Sequence, residues 1–258
     1  IQKLEDALHT RLFLRNSKGV RLTPEGQLLF QHLDTAFSAI TSAETKLETL
    51  TRTDGGTLHI GVSTTLCKYL LLPYLSAFIR EHPQINIRIR CQSSNETLKM
   101  LADDAIDIGL VGMPEHKAGF IYENLVEIED IFVETSTYIS HLPQDMTSTR
   151  EILEASTLML LDKNNMTRQY IDDYLAKNQI QTKDYIEISN MDLLIEFAKI
   201  GVGVACVIKN FVQEELADGQ LQQIPLDILI HKRDVGFAYK KTHLQNDALS
   251  CFLDFCRG

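Results

Sequence analysis

A heptad pattern of apolar residues between positions 24 and 50 constrains this chain more than any other feature. The apolar positions recur at alternating spacings of four and three residues, and they are Leu29, Leu33, Ala36, Ile40, Ala43, Leu47 and Leu50. Thr23 suits a helix N-cap, and Pro24 suits the first helical position. A helix of this length extends about 40 Å, farther than a small domain can cover. We therefore expect its apolar seam to pair with the same helix of a second copy, although packing along the chain's own body is the alternative.

The residues before this helix predict a short helical end followed by a hairpin. Apolar residues have helical spacing over positions 1–8, and two alternating segments, 11–15 and 19–22, flank a loop of about four residues. Positions 11–21 carry four basic side chains and no acidic one, on a chain whose net charge is −10. A local basic element on an acidic protein is typical of phosphate contact, although such short runs are usually solvated loops.

After a linker at residues 53–56, the pattern changes to short strands that alternate with amphipathic helices. One series covers residues 57–111, and a second series of similar size covers residues 157–207. This alternation predicts βαβ units, mostly parallel sheets and therefore two α/β lobes. We expect a late strand and helix, within residues 236–255, to return to the first lobe.

Several protein classes are disfavoured by what the sequence lacks. It has no apolar run of about 18 residues, no secretion signal, and no P-loop, H-E-x-x-H or G-x-S-x-G motif. The five cysteines have no C-x-x-C spacing, so reduced thiols in the cytoplasm are the better interpretation. The sequence therefore predicts a cytoplasmic protein with no catalytic residues, no metal site and no cofactor.

The N-terminal residues carry the most specific family resemblance. Positions 1–15 read IQKLEDALHTRLFLR and positions 19–26 read GVRLTPEG. They resemble the pattern I-x-x-L-E-x-x-L-G-x-x-L-F-x-R … G-V-x-L-T-x-E-G of the LysR-type transcription regulators. His9 replaces the usual glycine at a position that ends a helix, where a left-handed residue is common and His is tolerated.

Later segments agree with the same family, in order and at similar spacings. Residues 71–73 (LLP), with Phe78 and the pair His82-Pro83, resemble its first sensor helix. Residues 106–109 (IDIG) and 201–205 (GVGVA) resemble its third sensor strand and a turn of its second lobe. The resemblance covers essentially the whole chain.

The resemblance implies a division of the chain into four parts. Residues 1–23 would end a winged helix-turn-helix DNA-binding domain, and residues 24–54 would form the linker and dimerisation helix. Residues 55–133 with 231–258 would form the first lobe, and 134–230 the second lobe, of a periplasmic-binding-protein-like (type 2) sensor domain. It also implies that about 40 residues of DNA-binding helices precede residue 1.

The resemblance also implies the partners. The full-length protein would bind promoter DNA. The residues nearest to the DNA would be Gln2, Lys3, Arg15, Lys18 and Arg21. Of these, Arg15, Lys18 and Arg21 would contact phosphates. A homodimer would form through the linker helix and assemble further into a homotetramer. A small effector would change the angle between the lobes and thereby the geometry of the oligomer on DNA.

The residues themselves predict where an effector binds. In two-lobed α/β domains, ligands lie in the cleft at the carboxyl ends of strands, where helix N-termini point. Polar or small residues in that position are Ser63, Thr64, Thr65, Ser94, Asn95, Met113, Thr167 and Arg168. Because Arg pairs with oxyanions and the hydroxyls follow strands directly, we expect a small anion or carboxylate. The alternative for each hydroxyl or amide is a simple N-cap.

Two other functions would fit parts of the sequence. Cys67 lies near a predicted helix N-terminus, where the pKa of a thiol can be lowered, so redox sensing is conceivable. A two-lobed solute-binding receptor of a transporter would share the fold. Residues 1–53 argue against that receptor, because a hairpin and a dimerising helix would have no purpose in it.

Overall fold

The computed structural model describes residues 1–16, 19–51, 55–114, 119–141, 146, 148–182 and 185–258. Its N-terminal part contains helix α1 (Gln2–Leu8), the antiparallel strands β1 (Phe13–Asn16) and β2 (Gly19–Leu22), and helix α2 (Pro24–Thr51). His9 ends α1 in the left-handed conformation, with φ of 50°, as the family pattern requires. Lys18, Thr53 and Asp54 lie outside the described residues.

The long helix α2 begins where the sequence predicted. The Thr23 hydroxyl accepts a hydrogen bond from the Gly26 amide at 2.9 Å and donates one to the Arg11 carbonyl at 2.7 Å, which fixes the hairpin against the start of the helix. Apolar side chains along α2 remain exposed in a single chain, with Leu33 at 42% and Ile40 at 54%. The side chains of Leu47 and Leu50 lie outside the description.

The rest of the chain forms two five-stranded sheets. The first has the order β4-β3-β5-β12-β6 and comprises β3 (Thr57–Val62), β4 (Asn86–Cys91), β5 (Ile108–Gly112), β6 (Ile121–Ile128) and β12 (Arg233–Tyr239). The second has the order β11-β7-β10-β8-β9 and comprises β7 (Asp130–Glu134), β8 (Leu158–Leu161), β9 (Tyr185–Ile188), β10 (Val204–Ile208) and β11 (Gln222–Gln223). The predicted two-lobed α/β fold is confirmed.

Helices cover both sheets. Those of the first lobe are α3 (Thr64–Leu66), a π-helical turn (Cys67–Leu71), α4 (Leu72–Glu81), α5 (Ser94–Ala102) and the C-terminal α11 (Asp247–Arg257). Those of the second lobe are α6 (Ser136–Ile139), α7 (Thr149–Ala155), α8 (Met166–Lys177), α9 (Met191–Lys199) and α10 (Gln213–Ala217). Short 3₁₀ turns occur at Lys209–Phe211 in the second lobe and at Lys241–Gln245 in the first lobe. Because α3, the π turn and α4 follow one another directly, residues 64–81 form one continuous helical segment.

The chain passes between the sheets at Glu129, four residues before the predicted boundary at residue 133. β6 pairs with β12 in the first sheet, whereas β7 pairs with β10 in the second. Residues 121–134 contain neither Gly nor Pro, so the sequence carries no turn signal where the chain changes sheets. Strands β6, β7 and β11 were not predicted from the sequence.

The core connects the two lobes. Buried apolar residues of both sheets belong to one cluster, with Ile128 and Ile131 on either side of the crossing point and Phe252 of α11 packed against the first sheet. Across the described residues, no helix is both long and apolar enough to cross a membrane. Nor do the described ranges contain a group of three or more His, Cys, Asp or Glu side chains that could hold a metal ion.

Candidate effector-binding site

A cavity of about 200 Å³ lies between the two sheets, at the carboxyl ends of the parallel strands. Both lobes contribute to its walls. The lining residues that carry hydroxyl, amide or charged side chains are Ser63, Thr64, Thr65, Gln92, Ser93, Ser94, Asp162, Asn165, Thr167, Ser189, Asn190 and Arg233. The apolar remainder includes Ile128, Leu161 and Met191.

Four helical segments begin at this cavity, and their N-cap residues all line it. Ser63 and Ser93 cap the two segments of the first lobe, each accepting a backbone amide at 3.2 Å. Asn165 and Asn190 cap α8 and α9 of the second lobe, accepting backbone amides at 2.8 and 2.9 Å. Because the N-terminal end of a helix carries partial positive charge and unpaired N–H groups, their convergence makes the cavity favourable for an anion.

Five of the eight residues that the sequence predicted for the effector line the cavity. They are Ser63, Thr64, Thr65, Ser94 and Thr167. Asn95 is the next residue of α5 and is exposed to solvent outside the lining. Met113 follows β5, and its side chain lies over Gly236 of β12, where an added Cβ would meet the Met113 Cε atom.

Arg168 also lies outside the cavity lining. Its side chain is only 4% exposed, Nη1 donates to the Leu161 carbonyl at 2.8 Å, and Nε donates to Asp172 at 2.7 Å. The guanidinium also lies 4.7 Å from the centre of the Tyr185 ring and 3.7 Å from Glu187. The side chain therefore reaches back beneath the sheet and ties α8 to β8 and β9. The acid four residues later in the sequence, Asp172, is the signal that this arginine has a partner on its own helix.

The cavity's basic side chain is Arg233, which the sequence analysis missed. Its Nε and Nη2 donate to the two carboxylate oxygens of Asp130 at 2.7 and 2.9 Å, and Nη2 also donates to the Thr167 hydroxyl at 3.1 Å. The guanidinium lies 5.0 Å from the Tyr170 ring centre. Arg233 stands in the first sheet and Asp130 in the second, so this pair joins the lobes. Because 103 positions separate the two residues, no local pattern could have paired them.

Asp130 is fully buried, with 0% of its side chain exposed. Burial raises its pKa, and the charge and hydrogen bonds of Arg233 lower it. The bidentate contact keeps the guanidinium plane fixed at the edge of the cavity. The hydrogen bonds of Arg233 to described residues are made by Nε and Nη2.

Three further lining residues follow a rule that the sequence analysis applied only to some positions. Asn165, Ser189 and Asn190 stand between a strand and a helix, as Ser63 does, and Ser94 is the first residue of such a helix. The same strand-to-helix signal could have found them. Gln92 was missed in the same way and donates to the Thr97 hydroxyl at 3.3 Å.

The thiol of Cys67 does not have the lowered pKa that the sequence suggested. Burial raises its pKa, and the neighbouring Cys91 raises it further. The same direction holds for Cys206, Cys251 and Cys256, where burial is the largest cause. Protonated thiols react slowly with oxidants, so the structure does not favour redox sensing at these positions.

The residues that the sequence predicted to lie near DNA are in the N-terminal part of the chain. Gln2 and Lys3 are exposed on α1, and Arg21 is exposed on β2. Arg15 lies on β1, and its side chain is outside the description.

Two α/β lobes that enclose a polar cavity at converging helix N-termini define a sensor domain for a small molecule. The LysR substrate-binding domain family matches residues 51–258 of the chain. The chain therefore belongs to this family, and it is a LysR-type transcription regulator with an effector-binding domain. This family membership sets aside the transporter receptor as an alternative.

Known proteins show the same relationship. YeiE, an HTH-type transcriptional regulator of Escherichia coli K12, is 25% identical over 255 residues, which cover 98% of this chain and 84% of the relative. The virulence activator AphB of Vibrio cholerae, solved at full length, shares the fold with a TM-score of 0.63, 20% identity and coverage of 100% of this chain and 87% of its own. The effector binding domain of QuiR, solved with shikimate, has a TM-score of 0.64 and 16% identity, and the match covers 78% of this chain and 95% of the QuiR domain.

Proposed function

We propose that this regulator binds a small carboxylate with one negative charge in the interlobe cavity. The observation that carries the proposal is the convergence of four helix N-termini with Arg233 on one cavity. The described lining contains one cationic side chain, Arg233, and one anionic side chain, Asp162, and Arg233 is already paired with Asp130. A ligand of one negative charge, held mainly by helix N-termini and hydroxyls, suits this balance.

One solved structural neighbour supports the same chemical class. QuiR was solved with shikimate, a hydroxylated carboxylate. Hydroxyl groups of such a ligand would meet the amides of Asn165 and Asn190, and its carboxylate would meet the N-terminal ends beside Thr65 and Ser94. We therefore assign effector binding to Ser63, Thr64, Thr65, Ser94 and Thr167 and add Arg233. The role of the protein is regulation of transcription, without catalysis, in the cytoplasm.

A thermal-shift measurement with a panel of small mono-, di- and tricarboxylates tests this proposal. A ligand that binds only the folded state raises the unfolding midpoint in proportion to the logarithm of its concentration. We expect monocarboxylates to raise the midpoint of the parent chain more than dicarboxylates of similar size. A panel in which no carboxylate changes the midpoint would overturn the proposed ligand class.

The division of labour along the chain follows from the same proposal. Residues 1–23 would lie at promoter DNA. Gln2 and Lys3 would lie near the DNA, and Arg15, Lys18 and Arg21 would contact its phosphate backbone. Residues 24–54 would form the dimerisation helix. Effector binding between the lobes would then change the geometry of the oligomer on DNA.

Two separate apolar surfaces support assembly into a homotetramer. The first is the exposed seam of α2, with Leu33 and Ile40. The second lies on α9 of the sensor, where Leu193 is 47% and Phe197 40% exposed and their four-residue spacing places them on one face. Exposed apolar side chains on one helix face are typical of interfaces, and two such faces per chain allow a dimer of dimers.

Sedimentation velocity tests the assembly. We expect the parent chain to sediment as a tetramer, and Leu33→Asp and Phe197→Asp each to sediment as dimers. The double variant should be a monomer. A parent chain that is monomeric at micromolar concentration would contradict this part of the proposal.

A further inference from the structure

A second connection between the lobes lies beside the cavity, and it is made by side chains of helical segments and turns. Nζ of Lys68, on the π turn of the first lobe, donates to Oδ1 of Asp192 on α9 of the second lobe at 2.7 Å. The neighbouring Tyr69 hydroxyl donates to the same Oδ1 atom at 3.2 Å. Lys68 also donates to the Tyr69 hydroxyl at 3.1 Å, so the three side chains form a closed hydrogen-bonded triad.

An aromatic stack accompanies the triad. The Tyr69 ring lies on the Phe211 ring of the second lobe with a centroid distance of 4.3 Å and an angle of 7° between the planes. Nζ of Lys68 lies 4.6 Å from the centre of the Tyr69 ring. Phe211 is buried, at 5% exposure, whereas the Lys68 side chain is 54% exposed. The contact therefore combines a buried aromatic part with an ion pair open to solvent.

The connection is adjacent in sequence to the cavity on both sides. Leu66 lines the cavity two positions before Lys68, and Met191 lines it one position before Asp192. Between Leu66 and Tyr69 the helix changes from α to π geometry. A π turn adds a residue to the helix and is frequent at functional positions. A movement of either helix N-terminus at the cavity would thus shift the triad directly.

We propose that Lys68, Tyr69, Asp192 and Phe211 form a latch that holds the two lobes closed over the cavity and sets how often it opens. The inference goes beyond the effector class, because it concerns the equilibrium between closed and open lobes without ligand. The strands of the crossing, with Arg233 and Asp130, act as the hinge. The latch joins the π turn of the first lobe to α9 and to the turn Lys209–Phe211 of the second lobe.

Hydrogen–deuterium exchange of the full chain, without ligand, tests the latch. We expect Asp192→Asn and Lys68→Met each to accelerate exchange at residues 64–71 and 191–195 by about two- to fivefold, as suits a partly exposed ion pair. The buried strands β3 and β8 should exchange as in the parent. Because the two side chains act on one contact, the double variant should match the single variants.

Three further variants keep the test falsifiable. Arg150→Met removes an ion pair of matched exposure, 51% and 30% against 54% and 30%, that lies within α7 of one lobe. It should leave the cavity amides unchanged. Tyr69→Phe keeps the stack and the Lys68–Asp192 ion pair and removes both hydrogen bonds of the Tyr69 hydroxyl, so it should give a smaller acceleration. Exchanging the charges, with Lys68→Asp and Asp192→Lys together, should restore much of the protection.

The inference would be overturned if exchange at both segments stayed at the parent rate in Asp192→Asn. It would also fail if Arg150→Met accelerated exchange equally, or if the effects of Lys68→Met and Asp192→Asn were additive. Acceleration in β3 and β8 to the same extent would mean that the variants loosen the whole fold, which also contradicts a local latch.

Discussion

Two arginines, one buried and one partly buried, stand near the start of helix α8, and they have opposite relations to the cavity. Arg168 lies on α8 itself and is bound to the Leu161 carbonyl and to Asp172. Arg233 comes from a strand of the other lobe, holds Asp130 with two nitrogens, and lines the cavity. Their side chains are 4% and 13% exposed.

The difference shows how position in the fold, rather than residue type, decides what a charge can bind. An arginine in the first turn of a helix can reach back to the preceding strand, and Arg168 does so. An arginine at the beginning of a strand that returns from the other lobe meets the cavity edge. The following predictions test that contrast, from the largest expected effect to the smallest.

Arg233→Met should lower the free energy of unfolding by about 3–5 kcal/mol, because it leaves the buried Asp130 carboxylate without its partner. Urea denaturation followed by circular dichroism measures this change. Adding Asp130→Leu should recover most of the loss, since no uncompensated charge remains. A loss below about 1 kcal/mol for Arg233→Met alone would mean that Asp130 is solvated or paired in another way.

Arg168→Met should lower the free energy of unfolding by a smaller amount, about 1–3 kcal/mol. The Leu161 carbonyl loses a donor, but Asp172 and Glu187 are each 46% exposed and can be hydrated by water. The same denaturation experiment measures the cost. The midpoint increase produced by a carboxylate should be the same in Arg168→Met as in the parent, and a lost response would place Arg168 in the effector site.

A second buried carboxyl group extends the contrast along strand β7, where Asp130 has an arginine partner. Glu134, four residues later, is buried, and its Oε2 atom has no hydrogen-bond partner among the described residues. Desolvation raises the pKa of Glu134 to about 7. The folded state therefore binds a proton that the unfolded state releases between pH about 4.5 and about 7, so stability should fall as the pH rises through that window.

The expected loss across this window is about 1–3 kcal/mol. Denaturation at pH 5 and pH 8 measures it, and Glu134→Gln should remove this part of the difference. If parent and Glu134→Gln showed the same pH dependence, Glu134 would be ionised with a partner in the folded protein.

The smallest effect concerns the cavity hydroxyls. Thr65→Ala should weaken binding of a carboxylate about fivefold, the equivalent of one hydrogen bond of about 1 kcal/mol. Isothermal titration calorimetry measures the affinity. Asn95→Ala serves as the matched control, because Asn95 lies at the start of a neighbouring helix but outside the cavity lining. The affinity of this variant for the carboxylate should equal that of the parent.

Most of the fold could be predicted from local sequence patterns. The heptad spacing and Thr23 gave the long helix and its first residue, and alternating periodicity gave the paired series of strands and helices. The crossing at Glu129 was missed because a strand continues on either side of it without Gly or Pro. Strands β6 and β7 were missed for the same reason.

The residues of the candidate site were likewise predicted only where the signal is local in the sequence. Ser63, Thr64, Thr65 and Ser94 were found because strand-to-helix positions are visible locally. Arg233 was missed because its role depends on Asp130, far away in the sequence and in the other lobe. The orientation of Arg168 depended on its contact with the preceding strand, which residue type alone did not reveal.

The most direct test of the central claim is a crystal structure of the chain with the carboxylate that gives the largest thermal shift. Density for the carboxylate between Thr65, Ser94 and Thr167, within hydrogen-bond distance of the helix N-termini, is the expected result. Density at another surface, with the interlobe cavity filled only by water, would contradict the account.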